Sequence, residues 1–368
     1  MVLKLTPQDK EDCRDLTMQL LDRALYDCDE LGLGTTHVAS HADMSSRRWK
    51  KLQSHTNVTL YADQTANSAW HPVMNREDWE HPVAVVAICQ LKCSVDDMLL
   101  ALMAPSLTTV HLRCLLLDRP SQHAELVPIV KPTETSPFQF LGVLRVVYTQ
   151  NWPMTMFISP REMVLMIATG DVVTANGRRF GYEILLSVPI CRGSGMTRTQ
   201  VLETRVFWDH PDGTVGMYIK HTIDIKAHFP ESVKIGIICH EFMRFWKFIP
   251  RSITTKKLRW CLKYKRILSC GLQSQFQVMG GSVSCGGCGT YAPKLVNGKP
   301  RKNDGYRCTL CDVWLCWKSS CRTSCQVTAA LGEGSSVGEK ELALCPRCIL
   351  FAQNASAVNI ACSELPGC

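Results

Sequence analysis

Three close cysteine pairs lie in the last quarter of the sequence: Cys285-x2-Cys288, Cys308-x2-Cys311 and Cys345-x2-Cys348. Cys316, Cys321 and Cys325 form a less regular fourth group. Two thiolates two residues apart reach one ion through a tight turn, so each pair supplies half of a tetrahedral zinc site. Nine of the 20 cysteines fall between Cys285 and Cys348, and the 284 residues before them hold nine more, scattered. The scattered ones read as small core residues. The clustered segment is rich in glycine and charge and has too little apolar surface to fold alone. Bound zinc would supply the missing stability, on the order of 10 kcal/mol per site.

Other reactive constellations are weak. His240-Glu241 begins like a zinc-protease HExxH, but residue 244 is Arg and the second ligand is missing. There is no phosphate-cradling glycine loop and no G-x-S-x-G nucleophile elbow; Gly193-Ser194-Gly195 reads as a loop. The expectation is a protein that is not an enzyme.

Charge is concentrated as well. From Phe242 to Leu268 there are nine basic residues and no acidic one, which leaves the rest of the chain at −1 of the total +8. The run interleaves cations with Phe245, Trp246, Phe248, Trp260 and Tyr264. Such a helix is suited to peripheral contact with an anionic membrane, each cation contributing about 1 kcal/mol near the surface. The bland reading is a solvated face with a core stripe behind it. Nucleic-acid binding is not expected, because no other positive surface accompanies the run.

The elements that must position these residues follow from pattern. With 368 residues, 46% of them hydrophobic and 20% charged, the chain can bury two domains or more. Apolar stretches reach about seven residues where a membrane span needs about 20. The start MVLKLTPQDKEDC carries no long apolar segment. The expected setting is cytoplasmic, where thiols stay reduced and peripheral attachment to endomembranes is open to the basic run.

A first helix begins at the Thr6 cap with Pro7 in its first turn and stops near Gly32. From Trp49 to about Asp224 short apolar runs alternate with turn residues, as in an antiparallel sheet. Expected strands are Trp49–Tyr61, Pro82–Leu91, Thr108–Leu117, Ala124–Lys131, Phe138–Thr149, Met154–Ile158, Arg179–Val188, Gln200–Trp208 and Gly216–Asp224. Ser94 opens a short helix, Pro160–Thr169 is either helix or strand, and Asn176-Gly177 is a tight turn. After Pro230, the residues Ile235, Ile238, Phe242, Phe245 and Ile249 form the apolar stripe of a long helix, which Pro250 is expected to kink or interrupt. A helix laid across a curved sheet either encloses an apolar cavity or packs solid on it.

Five stretches in order carry a family resemblance: RRWKKLQSHTNVTLYADQ (Arg47 to Gln64), SPFQFLGVL (Ser136 to Leu144), SPREMVLMIATG (Ser159 to Gly170), NGRRFGYEILLSVPI (Asn176 to Ile190) and KKLRWCLK (Lys256 to Lys263). Together they resemble a START (StAR-related lipid-transfer) domain, specifically one followed by a FYVE-type zinc module. The resemblance implies an α+β helix-grip fold, a curved antiparallel sheet with a long C-terminal helix around a tunnel for one lipid such as a sterol or phospholipid. The expected domains are 1–268 (START-like), 269–284 (linker), 285–350 (FYVE/PHD-like zinc module) and 351–368 (tail). Cavity-wall candidates are Arg161 with Glu162, Tyr182 and Arg205, together with Phe242 and Trp246. The expected function is non-enzymatic lipid binding or transfer. The alternative is a scaffold with an empty grip fold and a protein-binding zinc finger.

The cysteine spacing resembles a FYVE/PHD cross-brace, in which alternate pairs share an ion. Carried onto this chain, Cys285, Cys288, Cys316 and Cys321 hold one zinc and Cys308, Cys311, Cys345 and Cys348 a second. The family position nearest the irregular pair is Ser319, so Cys321 needs a longer loop and Cys325 competes with it. The phosphoinositide motifs of FYVE domains are degraded here to GGSVSCGGC, NDGYRCTLC and DVWLC, so specific headgroup recognition is not expected. Nine basic and five acidic residues from Cys285 to Cys348, with eight thiolates and two Zn²⁺, make the module near neutral. A RING-type module is the runner-up, against which stands the absence of any histidine in that segment. The module is read as serving protein contact or stability, with Trp314 or Trp317 as the candidate anchor for a protein partner that the sequence does not name.

Overall fold

The computed structural model describes residues 3–33, 48–64, 70–74, 77–118, 121–148, 160–190, 195–226, 229–264, 284–291, 305–330 and 337–365. They divide into two compact units, Met1–Pro250 with Glu364–Cys368, and Arg251–Ser363.

The first unit begins with α1 (Pro7–Glu30). Thr6 caps it reciprocally with Asp9: the Asp9 amide donates to Thr6 Oγ1 at 3.1 Å and the Thr6 amide to Asp9 Oδ2 at 2.8 Å. A nine-stranded, wholly antiparallel sheet follows, built from β1 (Trp49–His55), β2 (Val58–Asp63), β3 (Val83–Leu91), β4 (Ser121–Val130), β5 (Phe140–Tyr148), β6 (Arg161–Val173), β7 (Arg179–Ser187), β8 (Gln200–Asp209) and β9 (Val215–Asp224). Their spatial order is β1-β2-β3-β9-β8-β7-β6-β5-β4, so the long meander from β4 returns to lie beside β3. Between β3 and β4 lie α2 (Val95–Leu102) and α3 (Leu107–Leu116), and after β9 comes α4 (Glu231–Lys263). This is the expected α+β arrangement of a large antiparallel sheet with a long C-terminal helix.

Strand alternation sorts the sheet into two covered faces. On one, Leu141, Val143, Val164, Met166, Tyr182, Ile184 and Leu202 pack with Cys13, Leu20 and Leu21 of α1. On the other, Leu144, Val146, Leu165, Ile167 and Val201 pack with Ala104, and with Val110 and Cys114 of α3. The same second face meets α4: the Arg205 guanidinium lies 3.9 Å from the Phe245 ring centroid, and the His221 and Phe242 rings are 5.8 Å apart.

Four expectations change. Trp49–Tyr61 is a hairpin rather than one strand, turning at Asn57, whose φ of 66° lies in the left-handed region that Asn tolerates. Thr108–Leu117 is helix α3, not a strand. Its β-branched Thr108, Thr109 and Val110 favour extension, but Ser106 and Thr109 close a capping box and burial of Val110 and Cys114 at i, i+4 decides the outcome. Pro160–Thr169, left open, belongs to strand β6. Pro250 does not interrupt α4, which runs through it with the proline on an exposed position. Met154–Ile158 lies outside the described residues.

The second unit holds the part of α4 after Pro250, two short strands β10 (Tyr306–Arg307) and β11 (Trp314–Leu315), a 3₁₀ turn (Ser319–Cys321), the hairpin β12 (Thr323–Ala330) and β13 (Val337–Leu344), and helices α5 (Pro346–Asn354) and α6 (Ala357–Ser363). Of the segment 351–368, expected as a tail, residues up to Asn354 lie in α5 and Ala357–Ser363 form α6. Leu258 and Cys261 of α4 join Leu310, Trp314, Leu315, Leu342 and Leu344 in one core with seven of the clustered cysteines. Lys257 Nζ donates to the Gln353 carbonyl at 2.8 Å.

Gly181 on β7 pairs with Phe207 on β8, and the ring lies directly over it; an added Cβ would meet Phe207 Cε2 at 2.1 Å. Phe207 is fully buried and has nowhere to go. Gly181→Ala is expected to cost about 1–3 kcal/mol, read as a lower urea midpoint at unchanged slope.

Candidate metal centres and the charged face beneath the long helix

The eight cysteines predicted as ligands come together in two quartets, Cys285, Cys288, Cys316 and Cys321, and Cys308, Cys311, Cys345 and Cys348, each with its sulfurs within 4.8 Å of one another. A tetrahedral ion with metal–sulfur bonds of about 2.3 Å separates its sulfurs by about 3.8 Å. The Cys288–Cys316 and Cys311–Cys345 separations are 3.7 and 3.8 Å. The donor sets therefore fit two ions of zinc's size and geometry.

Local structure explains how the irregular fourth pair works. Lys318 to Arg322 wind into the 3₁₀ turn, with the Cys321 amide donating to the Lys318 carbonyl at 3.0 Å, and this turn takes up the extra residues between Cys316 and Cys321. Cys325 lies beyond it in β12, its backbone paired with Leu342, and the quartet is complete without it. Gly287 makes the close approach possible, since a Cβ there would lie 2.8 Å from the Cys321 Cα.

Backbone amides point at the sulfurs. Cys285 Sγ accepts from Cys316 at 3.2 Å and Gly287 at 3.4 Å, Cys308 Sγ from Cys345 at 3.3 Å, and Cys345 Sγ from Cys348 at 3.4 Å. Burial raises the Cys285 thiol, but these amides outweigh it and hold it below its ordinary value. Hydrogen bonding with Thr290 brings Cys288 down to about 6. Donors aimed at sulfur favour thiolate, the form that binds metal. Elsewhere burial acts in the other sense: it raises Cys13 to about 11 and lifts Cys28 and Cys89 further, which keeps them as inert core thiols.

Around the metal quartets, Trp314 is buried at 8% exposure whereas Trp317 is 78% exposed, which separates the two candidate anchors. Arg322 stacks over the exposed Tyr306 ring at 4.0 Å.

The other candidate site is the sheet face under α4. Glu183 of β7 is fully buried and takes a two-pronged ion pair from Arg113 of α3, whose Nη2 donates to Oε2 at 3.2 Å. Arg205 of β8 pairs with the same Glu183 and donates from Nε to Glu203 at 2.8 Å; Glu203 in turn meets His221 Nδ1 at 2.9 Å. Burial and the neighbouring Arg113 both push the Arg205 guanidinium down. Phe245 and Phe248 of α4 cover Arg205 and Arg113.

The six predicted wall residues do not share one place. Arg205 of β8 meets Phe245 of α4, Phe242 of the same helix meets His221 of β9, and Trp246 is half-buried on that helix. Arg161 lies on the α4 face by strand alternation. Glu162 and Tyr182 lie on the α1 face: Glu162 is held by Arg145 at 2.7 Å and Arg198 at 2.8 Å, and the Tyr182 hydroxyl accepts from Gln139 at 3.1 Å. Sequence reasoning missed Glu183, Arg113, Glu203 and His221. An acid inside the apolar run of GYEILL was the available signal for Glu183, whereas Arg113 was hidden by reading α3 as a strand. Separately, a cavity of about 530 Å³ opens where β3 and α4 begin, lined by Trp70, Glu80, His81, Pro82, Val83, Phe229, Glu231 and Lys234.

Of the nine basic residues between Phe242 and Leu268, several are engaged within their own unit. Arg244 donates to the Leu117 and Asp118 carbonyls, and Lys256 and Lys257 are buried.

No protein-family model and no curated protein matches the chain by sequence. Among solved structures it is similar to human StAR-related lipid transfer protein 5, with a TM-score of 0.44 and 12% identity over 66% of this chain and 97% of that one. It is also similar to human STARD10, with a TM-score of 0.38 and 10% identity over 64% of this chain and 81% of the other. A STAR-related lipid transfer protein fragment from Xanthomonas axonopodis gives 0.36 and 13% over 56% and 98%. At these scores the likenesses carry no weight beyond their statement.

Two measurements follow from this geometry. Elemental analysis of the full chain is expected to find two divalent ions per molecule, one in Cys321→Ser and still two in Cys325→Ser. Glu183→Gln leaves Arg113 and Arg205 with Glu203 alone, and is expected to cost about 3–5 kcal/mol in denaturant unfolding.

Proposed function

We propose that this protein is a non-enzymatic lipid-binding or lipid-transfer protein that takes one hydrophobic ligand between the sheet and α4. The observation that carries the reading is the set of buried Glu183, Arg205 and Glu203 with half-buried Arg113 and His221, placed within apolar walls under a helix that presents Phe242, Phe245 and Phe248. Ligand sites are mostly apolar, with a few convergent polar groups that fix orientation. Such a set is costly to keep in a solid core, where well-packed apolar residues of similar volume do as well or better. Its retention there fits a headgroup-recognition role, with the ligand's hydrocarbon contributing about 25 cal/mol per Å² buried. Three of the five sequence stretches that resemble a START domain, those from Ser136 to Leu144, Ser159 to Gly170 and Asn176 to Ile190, run into β5, β6 and β7, which help build this face.

The cysteine quartets are read as a two-zinc, FYVE-like cross-brace that stabilises the second unit and presents Trp317 to a protein partner. Lys256 and Lys257 are buried, so peripheral membrane contact through the basic run would fall to the cations that stay at the surface, such as Lys247 and Lys263. The thiolate-rich centres suit a reducing, cytoplasmic setting. Among the described residues no single helix is long and apolar enough to cross a membrane.

A second reading, a scaffold whose grip face takes no ligand, is favoured by one observation: Phe242, Phe245, Phe248 and Ile249 are all buried, so α4 already packs closely on the sheet. Lipid entry then requires α4 to move. Native mass spectrometry of the full chain, purified from cells without added ligand, separates the two. The expected mass excess is two zinc ions and one lipid. Two zinc ions and no lipid, even after incubation with a mixed lipid extract, would establish the scaffold instead.

A further inference from the structure

Among the described residues, the arginines shielded by the sheet and its helices are matched to carboxylates with one exception, the half-buried Arg161. Arg113 and Arg205 share Glu183 and Glu203 on the α4 face, and Arg145 and Arg198 share Glu162 on the α1 face. Arg161 is sequence neighbour to Glu162, but consecutive strand residues point to opposite faces, and Glu162 is already held from both sides. The Nε and Nη1 atoms of Arg161 are buried and have no hydrogen-bond partner among the described residues. Burial lowers its guanidinium from the usual value, and no neighbouring carboxylate opposes the shift.

Its position is defined by its cross-strand partner. Arg161 pairs with Tyr148 of β5, so both side chains lie on the face of Val146 and Leu165. The Tyr148 hydroxyl is 3.9 Å from Cys114 Sγ of α3, which places this end of the face against the helix that also supplies Arg113. Among the described residues, the face therefore carries two arginines balanced by two glutamates, and a third whose buried Nε and Nη1 are not balanced. Buried N–H groups left unpaired cost stability, and the planar guanidinium fork matches an oxyanion with two parallel hydrogen bonds.

We infer that Arg161 is the counter-charge for an oxyanion headgroup, a phosphate ester or carboxylate, on the ligand of this face. The inference rests on the lipid-binding reading above and adds the charge class of the lipid. Neutral lipids with the same hydrocarbon leave Arg161 unmatched and bind more weakly.

The test is isothermal titration calorimetry of the full, metal-loaded chain with dodecyl phosphate, dodecanoate, dodecanol and inorganic phosphate. At least one anionic amphiphile is expected to bind tenfold or more tightly than dodecanol. Arg161→Gln is expected to remove that preference and leave dodecanol affinity unchanged. In the ligand-free protein, Arg161→Met is expected to melt at or above the wild-type temperature, because it removes an unmatched buried charge. Equal binding of all three amphiphiles by wild type, a preference that survives in Arg161→Gln, or a lowered melting point in Arg161→Met would overturn the inference and leave lipid binding standing. Failure of every amphiphile to bind wild type would overturn both. Inorganic phosphate binding as tight as dodecyl phosphate and lost in Arg161→Gln would support the oxyanion site and assign it to a free anion.

Discussion

Both faces of the nine-stranded sheet are covered, α1 on one and α2, α3 and α4 on the other, and this double covering governs the first unit. A sheet with one wet face can send its charges to water; here the central strands read as nearly continuous apolar runs, and a charge in them stays inside. Because side chains alternate, a charge can be neutralised only by residues on its own face. Glu162 and Glu183 are 21 positions apart in the sequence and two strands share their pairing, yet their networks do not mix: one recruits Arg145 and Arg198, the other Arg113 and Arg205. The division into a structural ion cluster under α1 and a polar set under α4 follows from that parity. A one-residue slip in β6 or β7 would exchange the two faces' charges and leave both sets unmatched.

The second unit depends on a different force. Its short strands and small helices bury few large side chains, and the cysteines themselves form much of the core with Leu310, Leu315, Leu342 and Leu344. Metal held by the two quartets would take the role that apolar burial plays in the first unit, and the turns fit that end: glycine at 287 for close approach, the 3₁₀ turn for reach, and amides turned toward sulfur.

The two cysteine quartets were legible in the sequence because a metal-binding pattern fixes both residue type and spacing. The one ambiguity, Cys321 or Cys325, turned on a loop whose length gives no hint of the 3₁₀ turn that shortens it. The sheet was legible in number and order for most strands, since period-two apolar runs survive without tertiary information. Two kinds of error had distinct physical origins. At α3 the local β-branched residues spoke for a strand while the cap at Ser106 and the partners of Val110 and Cys114 decided for helix. In the wall residues, Arg161 and Glu162 read as a pair because they are adjacent, but adjacency in a strand is separation in space. Charge partners such as Arg113 and Glu183 lie 70 residues apart, and nothing in either segment announces the other.

The two cysteine quartets interleave along the chain, the first drawing on residues 285–288 and 316–321, the second on 308–311 and 345–348. An ion in each quartet would therefore close a loop that contains half of the other quartet's cysteines. Closing a flexible loop costs entropy that grows with the logarithm of its length. The first coordination event shortens the free chain that the second must close, so part of the second closure is already complete when it begins. With both quartets filled, the interlock would make the pair of centres a single cooperative knot of coordination, in which neither ion could leave without loosening the loop that holds the other.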